Sequence, residues 1–251
     1  MARRSRGMPL DRVKASQQTQ RDFVANVSHE LKTPLTSIQG FSQAILDKAT
    51  EPARAAQIIN DEAGRMRRLV DGLLDLARLD AGQAALQRAP TDLGPILQSV
   101  AEKLSLRAQE RQVTLKVEIA TLPIIVADGD RLAQVFTNLL DNALKHTPED
   151  GNVTLIARSD SPSGTVSVVV TDTGQGIPAD DLSRIFERFY RVDKSRAAGH
   201  GYGIGLAITK EIVQAHSGAI KAESVVGLGT KFTVRLPVSL SGDATVSKKR
   251  K

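Results

Sequence analysis

The sequence predicts two domains of different fold class: an all-α helical hairpin, followed by an α+β sandwich with a mixed sheet. Two observations separate them. Apolar residues recur at alternating steps of three and four through residues 24–77, whereas short runs of alternating polar and apolar residues begin only beyond residue 112. A break around Pro90 interrupts both patterns. We therefore place the helical domain at residues 15–86 and the second domain at residues 91–238.

Composition and charge exclude several classes of protein. The 251 residues are 41% hydrophobic and 25% charged, which is ordinary for a globular protein. The net charge of +6 belongs to the ends, because residues 1–14 and 248–251 each carry +4 and leave −2 for the body. We therefore expect no nucleic-acid-binding face, and disordered or linker segments at residues 1–14 and 239–251. The absence of cysteine excludes disulfides and thiolate metal sites. No apolar run is long enough to span a membrane.

A heptad pattern predicts the helical hairpin. The first helix, from about Ser16, carries this apolar seam: Val24, Val27, Leu31, Pro34, Ile38, Phe41 and Ile45. After a break at residues 47–52, the second helix repeats the rhythm at Ile59, Ala63, Met66, Val70, Leu73 and Ala77. Leu69, Leu74 and Leu76 make the second stripe wider than one hairpin can bury. We expect two chains to pair into a four-helix bundle; packing of the hairpin on the second domain is the alternative.

The same heptad count places His29 on the solvent-facing side of the first helix, next to Glu30. An imidazole can offer a neutral nitrogen as a nucleophile near neutral pH, and a carboxylate can orient or deprotonate it. Pro34 lies one turn later and removes a backbone donor, so a bend is expected there. On its own, a His-Glu pair is equally typical of a solvated helix face.

The second domain alternates helical and extended patterns. Helices are predicted at residues 95–109, 130–145 and 203–216, and strands at residues 113–119, 153–158, 166–171, 219–224 and 231–236. Because the strands concentrate toward the C-terminal end with helices before and between them, an α+β sandwich is predicted.

Polar residues on the predicted helix 130–145 form one candidate binding face. Asn138, Asn142 and Lys145 or His146 follow at i, i+4 and about i+7, hence on the same side. Amide oxygens can bind a hard cation such as Mg²⁺, and a lysine can contact a phosphate. A polar surface face without function is the alternative.

A second candidate follows the strand at residues 166–171. Asp172 could accept a hydrogen bond from an exocyclic amine, while Gly174 and Gly176 let backbone approach a flat ring. An ordinary turn after a strand satisfies this pattern equally well.

The third and fourth candidates flank a predicted mobile lid at residues 193–201. Before it, residues 185–191 group three aromatic residues with two arginines. After it, glycines open a helix, which predicts a phosphate cradle of backbone N–H groups. The pattern is neither the dinucleotide fingerprint, since no strand directly precedes it, nor a Walker A loop, since no Gly-Lys-Ser/Thr follows.

Taken in order, these motifs closely resemble those of the sensor histidine kinases of two-component systems. The motifs of that family are the H box at 23–35, the N box at 138–147, the G1 box at 172–178, the F box at 186–189 and the G2 box at 201–206. The resemblance covers about residues 16–237. It implies that the second domain is an ATP-binding domain of the Bergerat or GHKL type.

The resemblance also implies an ATP site. The adenine would lie against Asp172, and Mg²⁺ would be held by Asn138. Lys145 and the backbone around Gly203 and Gly205 would neutralise the triphosphate. The remaining expected ATP contacts are Asn142, His146, Gly174, Gly176, Phe186, Arg191, Gly201 and Leu206.

The resemblance further implies the reaction and its partners. His29 would accept the phosphoryl group with Glu30 as general base, and pass it to an aspartate in the receiver domain of a separate response regulator. Thr33 would position water for dephosphorylating that regulator. The chain would act as a homodimer in the cytoplasm, and any membrane contact would come from a region that precedes this sequence.

Three residues depart from the family pattern. Tyr202 stands where a small residue such as Thr or Ser is usual, and His200 and His146 occupy positions more often filled by Gly and Tyr. Two other functions remain open at this point. A GHKL ATPase that uses ATP as a dimer clamp would explain the nucleotide motifs but leaves His29 unexplained. A catalytically silent module that docks the regulator is the other.

Overall fold

The structure, a computed structural model, describes residues 8–80, 86–160, 162–192 and 202–238. The chain divides into two compact units, with the boundary between Asp75 and Leu76. The predicted lid with Gly201, and the predicted disordered tail at residues 239–251, lie outside the described residues.

Two long helices, α1 (Met8–Leu46) and α2 (Pro52–Asp80), form the helical region. Helix α1 begins earlier than predicted, so residues 8–14, which we assigned to a linker, are helical. The reason is local: after Pro9, which a first turn tolerates, no glycine or proline follows until Pro34. Among the described residues, no helix is both long and apolar enough to cross a lipid bilayer.

The connection between the two helices has a specific geometry. Lys48 adopts a left-handed conformation with φ of 55°, and the N–H of Ala49 donates to the carbonyl of Ala44 at 2.8 Å. This backbone pattern terminates a helix, although glycine is the more usual residue at the left-handed position. Pro52 then begins α2, where its missing N–H has no helical partner to lose.

Helix α1 buries the predicted stripe in whole or in part except at Val24, which is exposed. Pro34 is buried and Val27, Leu31, Ile38, Phe41 and Ile45 are half-buried, whereas His29 is exposed, which confirms its predicted solvent-facing position. The helix continues through Pro34 without a break. Since Pro34 has no N–H, the carbonyl of Glu30 lacks its usual helical donor.

The predicted stripe of α2 was partly wrong. Ala63, Val70 and Ala77 are exposed, whereas the buried residues of α2 are Ala55, Leu69 and Leu76, which are spaced by multiples of seven. Burying the leucines removes more apolar surface from water than burying Ala63 and Ala77 would, so α2 rotates toward the leucines. Val70 and Leu74 consequently remain 42% and 50% exposed on the single chain.

The second unit contains seven strands and four helices among the described residues. In chain order they are β1 (Ala89–Thr91), α3 (Leu93–Glu110), β2 (Thr114–Ile119), β3 (Ile125–Ala127), α4 (Gly129–His146), β4 (Asn152–Asp160), β5 (Thr165–Asp172), α5 (Ala179–Leu182), α6 (Gly205–Ala215), β6 (Ala219–Val225) and β7 (Gly229–Pro237). The five predicted strands form one sheet in the order β2-β4-β5-β7-β6, parallel only between β2 and β4. Strands β1 and β3, which we did not predict, pair as a separate antiparallel ribbon.

One face of the sheet carries the core. Strand β5 alternates strictly, and its inward residues Val166, Val168 and Val170 are buried. Helices α3, α4 and α6 contribute apolar faces, including the fully buried Phe136 of α4. The same alternation assigns Asp172, the last residue of β5, to the buried face. The sheet therefore fixes the burial of this carboxylate.

A buried histidine connects α6 to the start of α4. The Nε2 atom of His216 accepts a hydrogen bond from the N–H of Asp128 at 3.0 Å, and its Nδ1 donates to the carbonyl of Ile212 at 2.8 Å. Asp128 caps α4 through its side chain, which accepts from the N–H of Arg131 at 3.1 Å. Burial lowers the pKa of His216, so the neutral ring is favoured in the folded state.

This arrangement predicts a pH-dependent stability. Because the pKa of His216 is lowered, its contribution to stability is present above about pH 6.5 and is lost as the pH falls through the folded-state pKa. The variant His216→Gln should lose about 1–3 kcal/mol of unfolding free energy at pH 7.5. Its deficit should shrink toward pH 5, as measured by urea denaturation.

The control is Arg88→Gln, which removes the neighbouring hydrogen bond from Arg88 to the carbonyl of Ala215 but retains the imidazole. This variant should keep most of the wild-type pH dependence. An equal deficit for His216→Gln at both pH values would contradict the assignment.

Candidate functional site

A cavity of about 230 Å³ in the second unit brings together most of the predicted binding residues. It is lined by α4, the loop after β5, the segment after α5, the start of α6 and the start of β7. Of the binding residues predicted from the sequence, the lining includes Asn138, Asn142, Lys145, His146, Asp172, Gly176, Arg191, Gly203, Gly205 and Leu206.

Helix α4 is divided between core and cavity. Its apolar residues Leu139, Leu140, Ala143 and Leu144 are buried. The cavity-lining residues follow at i, i+3, i+4, i+7 and i+8: Asn138, Asp141, Asn142, Lys145 and His146. One helix thus presents two amides, a carboxylate, an ammonium and an imidazole along a single face.

Asp172 is the most buried acidic residue of the cavity, with 5% exposure. Its Oδ1 atom accepts from the N–H of Gly174 at 2.8 Å and from the N–H of Thr230 at 3.2 Å. Burial raises the pKa of the Asp172 carboxyl above its usual value, although these two hydrogen bonds oppose the rise. Its other oxygen, Oδ2, takes part in neither bond and is the acceptor that a ligand with an amino group can use.

The loop after Asp172 is held in close contact with its neighbours. A Cβ at Gly174 would lie 2.4 Å from the carbonyl oxygen of His146, so only glycine fits there. The N–H of Gln175 donates to that same carbonyl at 3.3 Å, and the N–H of Ile177 donates to Ser224 at 2.8 Å. Gly174 therefore shapes the loop without lining the cavity, while Gly176 lines it.

The N-terminus of α6 faces the cavity through Gly205 and Leu206. The residue before it, Ile204, supplies no side-chain cap, so the first-turn N–H groups remain available to a ligand. The Nδ2 atom of Asn138 donates to the carbonyl of Gly205 at 3.3 Å, which links α4 to this turn. Uncapped N–H groups together with the helix dipole favour an anion such as phosphate.

Lys145 is engaged by a carboxylate that the sequence analysis overlooked. Its Nζ lies 2.5 Å from Oδ2 of Asp141, and Asp141 also pairs with Arg107 of α3. The i,i+4 spacing from Asp141 to Lys145 on α4 was a readable signal for this pair. Lys145, the residue predicted to contact a phosphate, is therefore paired with a carboxylate in the structure.

The segment after α5 divides into a packing part and a cavity part. Phe186 does not line the cavity; its ring packs edge-on against Phe232 in the core, 6.3 Å between centroids. That placement differs from the predicted ATP contact; an edge-on pair with Phe232 is a favourable arrangement for two aromatic rings. Tyr190, by contrast, lines the cavity, and its hydroxyl donates to Asp181, which raises the pKa of Tyr190.

Sequence reasoning missed several further lining residues. Beside Asp141 and Tyr190 these are Gln175, Ile177, Ile185, Val192 and Thr230. Tyr202, already noted for its departure from the family pattern, also lines the cavity. Thr230 could have been found only through strand pairing, because it is the register partner of Asp172 across β5 and β7.

A metal ion would find few protein ligands in this cavity. The amide oxygens of Asn138 and Asn142 are candidate ligands. Within the described part of the chain, no group of three or more His, Cys, Asp or Glu residues could hold a metal. The donor set fits a Mg²⁺ ion that obtains most of its ligands from phosphate oxygens and water.

The predicted catalytic residues lie in the first unit, on α1. His29 and Thr33 are exposed and Glu30 is half-buried. The hydroxyl of Thr33 donates to the carbonyl of His29 at 3.3 Å, one turn earlier. The imidazole is accessible to another molecule or domain.

Comparison with known proteins gives two family matches. Residues 127–240 match the family described as histidine kinase-, DNA gyrase B- and HSP90-like ATPase. Residues 19–82 match the His Kinase A (phospho-acceptor) domain.

Individual relatives agree with these matches. The sensor histidine kinase WalK of Bacillus subtilis is 38% identical in an alignment of 229 residues that covers 88% of this chain and 37% of WalK. The structure of full-length ShkA in complex with AMPPNP covers 86% of this chain and 45% of ShkA, with 33% identity and a TM-score of 0.65. The histidine kinase AdeS of Acinetobacter baumannii shares the fold, with a TM-score of 0.71 over 84% of this chain and 98% of AdeS at 24% identity. The chain thus spans well under half the length of WalK.

The burial of Asp172 yields a stability prediction. A carboxyl with a raised pKa stabilises the fold fully below its unfolded-state value of about 3.9, and that contribution is lost as the pH rises through the folded-state pKa. Asp172→Asn keeps an Oδ1 acceptor for both backbone donors but cannot ionise. We expect the variant to be more stable than the wild type at pH 7 in urea unfolding, with an advantage that disappears toward pH 4. A constant difference across this range would contradict the assignment.

Proposed function

The chain belongs to the sensor histidine kinases of two-component systems, whose catalytic core its two domains constitute, and from this premise we propose that it transfers the γ-phosphoryl group of ATP to His29. One observation supports this most strongly. A single cavity places the buried carboxylate of Asp172 together with the uncapped N-terminus of α6, as a ligand with an amino-bearing ring and a phosphate chain requires.

We assign the binding roles as follows. The exocyclic amine of adenine donates to Oδ2 of Asp172, since Oδ1 is already held by Gly174 and Thr230. The phosphates accept from the first-turn N–H groups of α6 near Gly205 and from Lys145. Mg²⁺, when bound, neutralises charge on the phosphates, and Asn138 supplies an amide oxygen for it.

The transfer itself needs positioning more than covalent chemistry by the protein. A neutral ring nitrogen of His29 attacks the γ-phosphorus, the bond from that phosphorus to the β–γ bridging oxygen breaks, and ADP leaves. Glu30 accepts or holds the proton on the other ring nitrogen, which stabilises the positive charge that develops on the ring. The exposure of His29 on α1 suits a nucleophile that must meet a bound nucleotide.

The phosphohistidine would then donate its phosphoryl group to an aspartate in the receiver domain of a response regulator. The chain would act as a homodimer through α1 and α2, and the exposed apolar side chains Val24, Leu35, Val70 and Leu74 support a partner surface there. Its location in the cytoplasm remains a prediction of the same resemblance.

Dephosphorylation of the regulator is a second proposed activity. Thr33 lies one turn after Glu30 and is exposed, so its hydroxyl can position a water molecule against a phosphoaspartate. Its hydrogen bond to the carbonyl of His29 fixes its rotamer on the same face as the imidazole.

Labelling with γ-³²P-ATP and Mg²⁺ tests the kinase proposal. We expect acid-labile, alkali-stable label in the wild type and none in His29→Gln. Asn138→Ala should lower labelling by at least about tenfold, because removal of a metal or phosphate contact weakens transition-state stabilisation. The matched control is Gln98→Ala, which removes an exposed amide of α3 outside the cavity.

Label that persists in His29→Gln would refute the assignment of the phosphorylated residue. ATP hydrolysis without any protein label would favour the clamp-type ATPase. Nucleotide binding with neither hydrolysis nor label would favour the silent docking module.

Thr33→Ala should separate the two activities. We expect autophosphorylation within about twofold of the wild type. Alanine favours a helix, and the hydrogen bond of Thr33 goes to the backbone of α1 rather than to a residue that we propose binds the nucleotide. Dephosphorylation of a receiver domain that the chain itself phosphorylates should fall at least about tenfold. Thr36→Ala, another exposed threonine of α1, serves as the control. Equal dephosphorylation rates in all three proteins would refute the role of Thr33.

A further inference from the structure

Three charged side chains meet where α3 and α4 adjoin, and Asp141 connects them. Its Oδ2 lies 2.5 Å from Nζ of Lys145, and its Oδ1 accepts a hydrogen bond from the guanidinium of Arg107. Arg111, the residue that follows α3, donates to the backbone carbonyl of Lys145 at 3.0 Å. The C-terminal end of α3 thus holds both the carboxylate of Asp141 and the last turn of α4 through two arginines.

The members of this cluster differ in their access to the cavity. Asp141 and Lys145 line it, with side chains 21% and 23% exposed, whereas Arg107 is 46% exposed and lies outside the lining. A negative charge therefore faces the same cavity in which Lys145 is expected to contact phosphates. Arg107, which partly neutralises this charge, lies outside the cavity lining and is in contact with solvent.

We propose that Asp141 is a specificity-determining counter-ion that lowers the affinity of the cavity for a nucleoside triphosphate, and that Arg107 determines how large this effect on affinity is. The inference rests on the proposed nucleotide site. Asp141 acts in two ways: it holds the ammonium of Lys145 by an ion pair, and its own charge repels the phosphates. Arg107 partly neutralises the charge of Asp141, which weakens both its hold on Lys145 and its repulsion of the phosphates.

This role has a consequence that a purely structural role lacks. Removing the charge of Asp141 frees Lys145 and should tighten binding. Removing Arg107 leaves the charge of Asp141 compensated by Lys145 alone, which strengthens both effects and should weaken binding. Two substitutions within one ion-pair cluster are thus expected to act in opposite directions, whereas loss of a structural cluster would impair binding in both.

The size of each effect should depend on the charge of the ligand. ATP carries one phosphate more than ADP, so Coulomb repulsion from Asp141 acts more strongly on ATP. Removing the repulsion should therefore raise the preference for ATP over ADP.

Isothermal titration calorimetry with Mg-ATP and Mg-ADP tests the proposal in Asp141→Asn, Arg107→Gln and the double variant. We expect the Kd for Mg-ATP to fall about three- to tenfold in Asp141→Asn, and to fall less for Mg-ADP. It should rise about two- to fivefold in Arg107→Gln. The double variant should resemble Asp141→Asn, because Arg107 acts through that carboxylate.

The matched controls are Glu118→Gln and Arg158→Gln. These residues form an exposed ion pair at 3.7 Å between β2 and β4, outside the cavity. They change the net charge of the protein by the same amounts as the test variants, and both should bind Mg-ATP as the wild type does. Thermal unfolding of each variant verifies that the fold is retained.

The outcomes are distinct. Opposite shifts for Asp141→Asn and Arg107→Gln, with unchanged controls, support the proposal. Weaker binding in both variants, or no change in either, overturns it while leaving the nucleotide site intact. No binding of Mg-ATP by the wild type defeats the proposed function itself, and this inference with it.

Discussion

The hydrogen bonds from Gly174 and Thr230 to one oxygen of Asp172 connect three parts of the second unit. They join the end of β5, the loop that follows it and the start of β7 around a single buried carboxylate. Strict alternation along β5 forces Asp172 inward after three valines, and the two backbone donors offset part of the cost of burying it. The same geometry leaves the other oxygen out of both bonds, and this is the oxygen that we propose accepts from the adenine.

Helix α4 contributes side chains both to the core of this unit and to the cavity. Its apolar face is buried against the sheet, and its polar face lines the cavity. The position of that polar face depends on distant contacts: Asp128 and His216 fix its first turn, and Arg107 and Arg111 hold its last. Substitutions far from the cavity can therefore change how the cavity binds its ligand.

Residues with a local signal were predictable from the sequence. The strand predicted at residues 166–171 and the glycines that follow it singled out Asp172, and the heptad of α1 predicted that His29 is exposed. Residues that depend on tertiary pairing were not, since Thr230 enters the cavity only through the β5–β7 register and Phe186 leaves it by packing on the core. Heptad spacing alone does not show which of two adjacent faces of α2 is buried. The prediction for α2 was partly wrong because burying the leucines removes more apolar surface from water than burying the alanines.

A crystal structure of the chain with Mg²⁺ and a non-hydrolysable ATP analogue would test the central assignment most directly. The decisive quantity is the distance from the exocyclic nitrogen of the adenine to Oδ2 of Asp172. We expect a hydrogen bond of about 2.8–3.2 Å, with Oδ1 still bound to Gly174 and the phosphates at the first turn of α6. An adenine placed away from Asp172, with the phosphates in its stead, would contradict it.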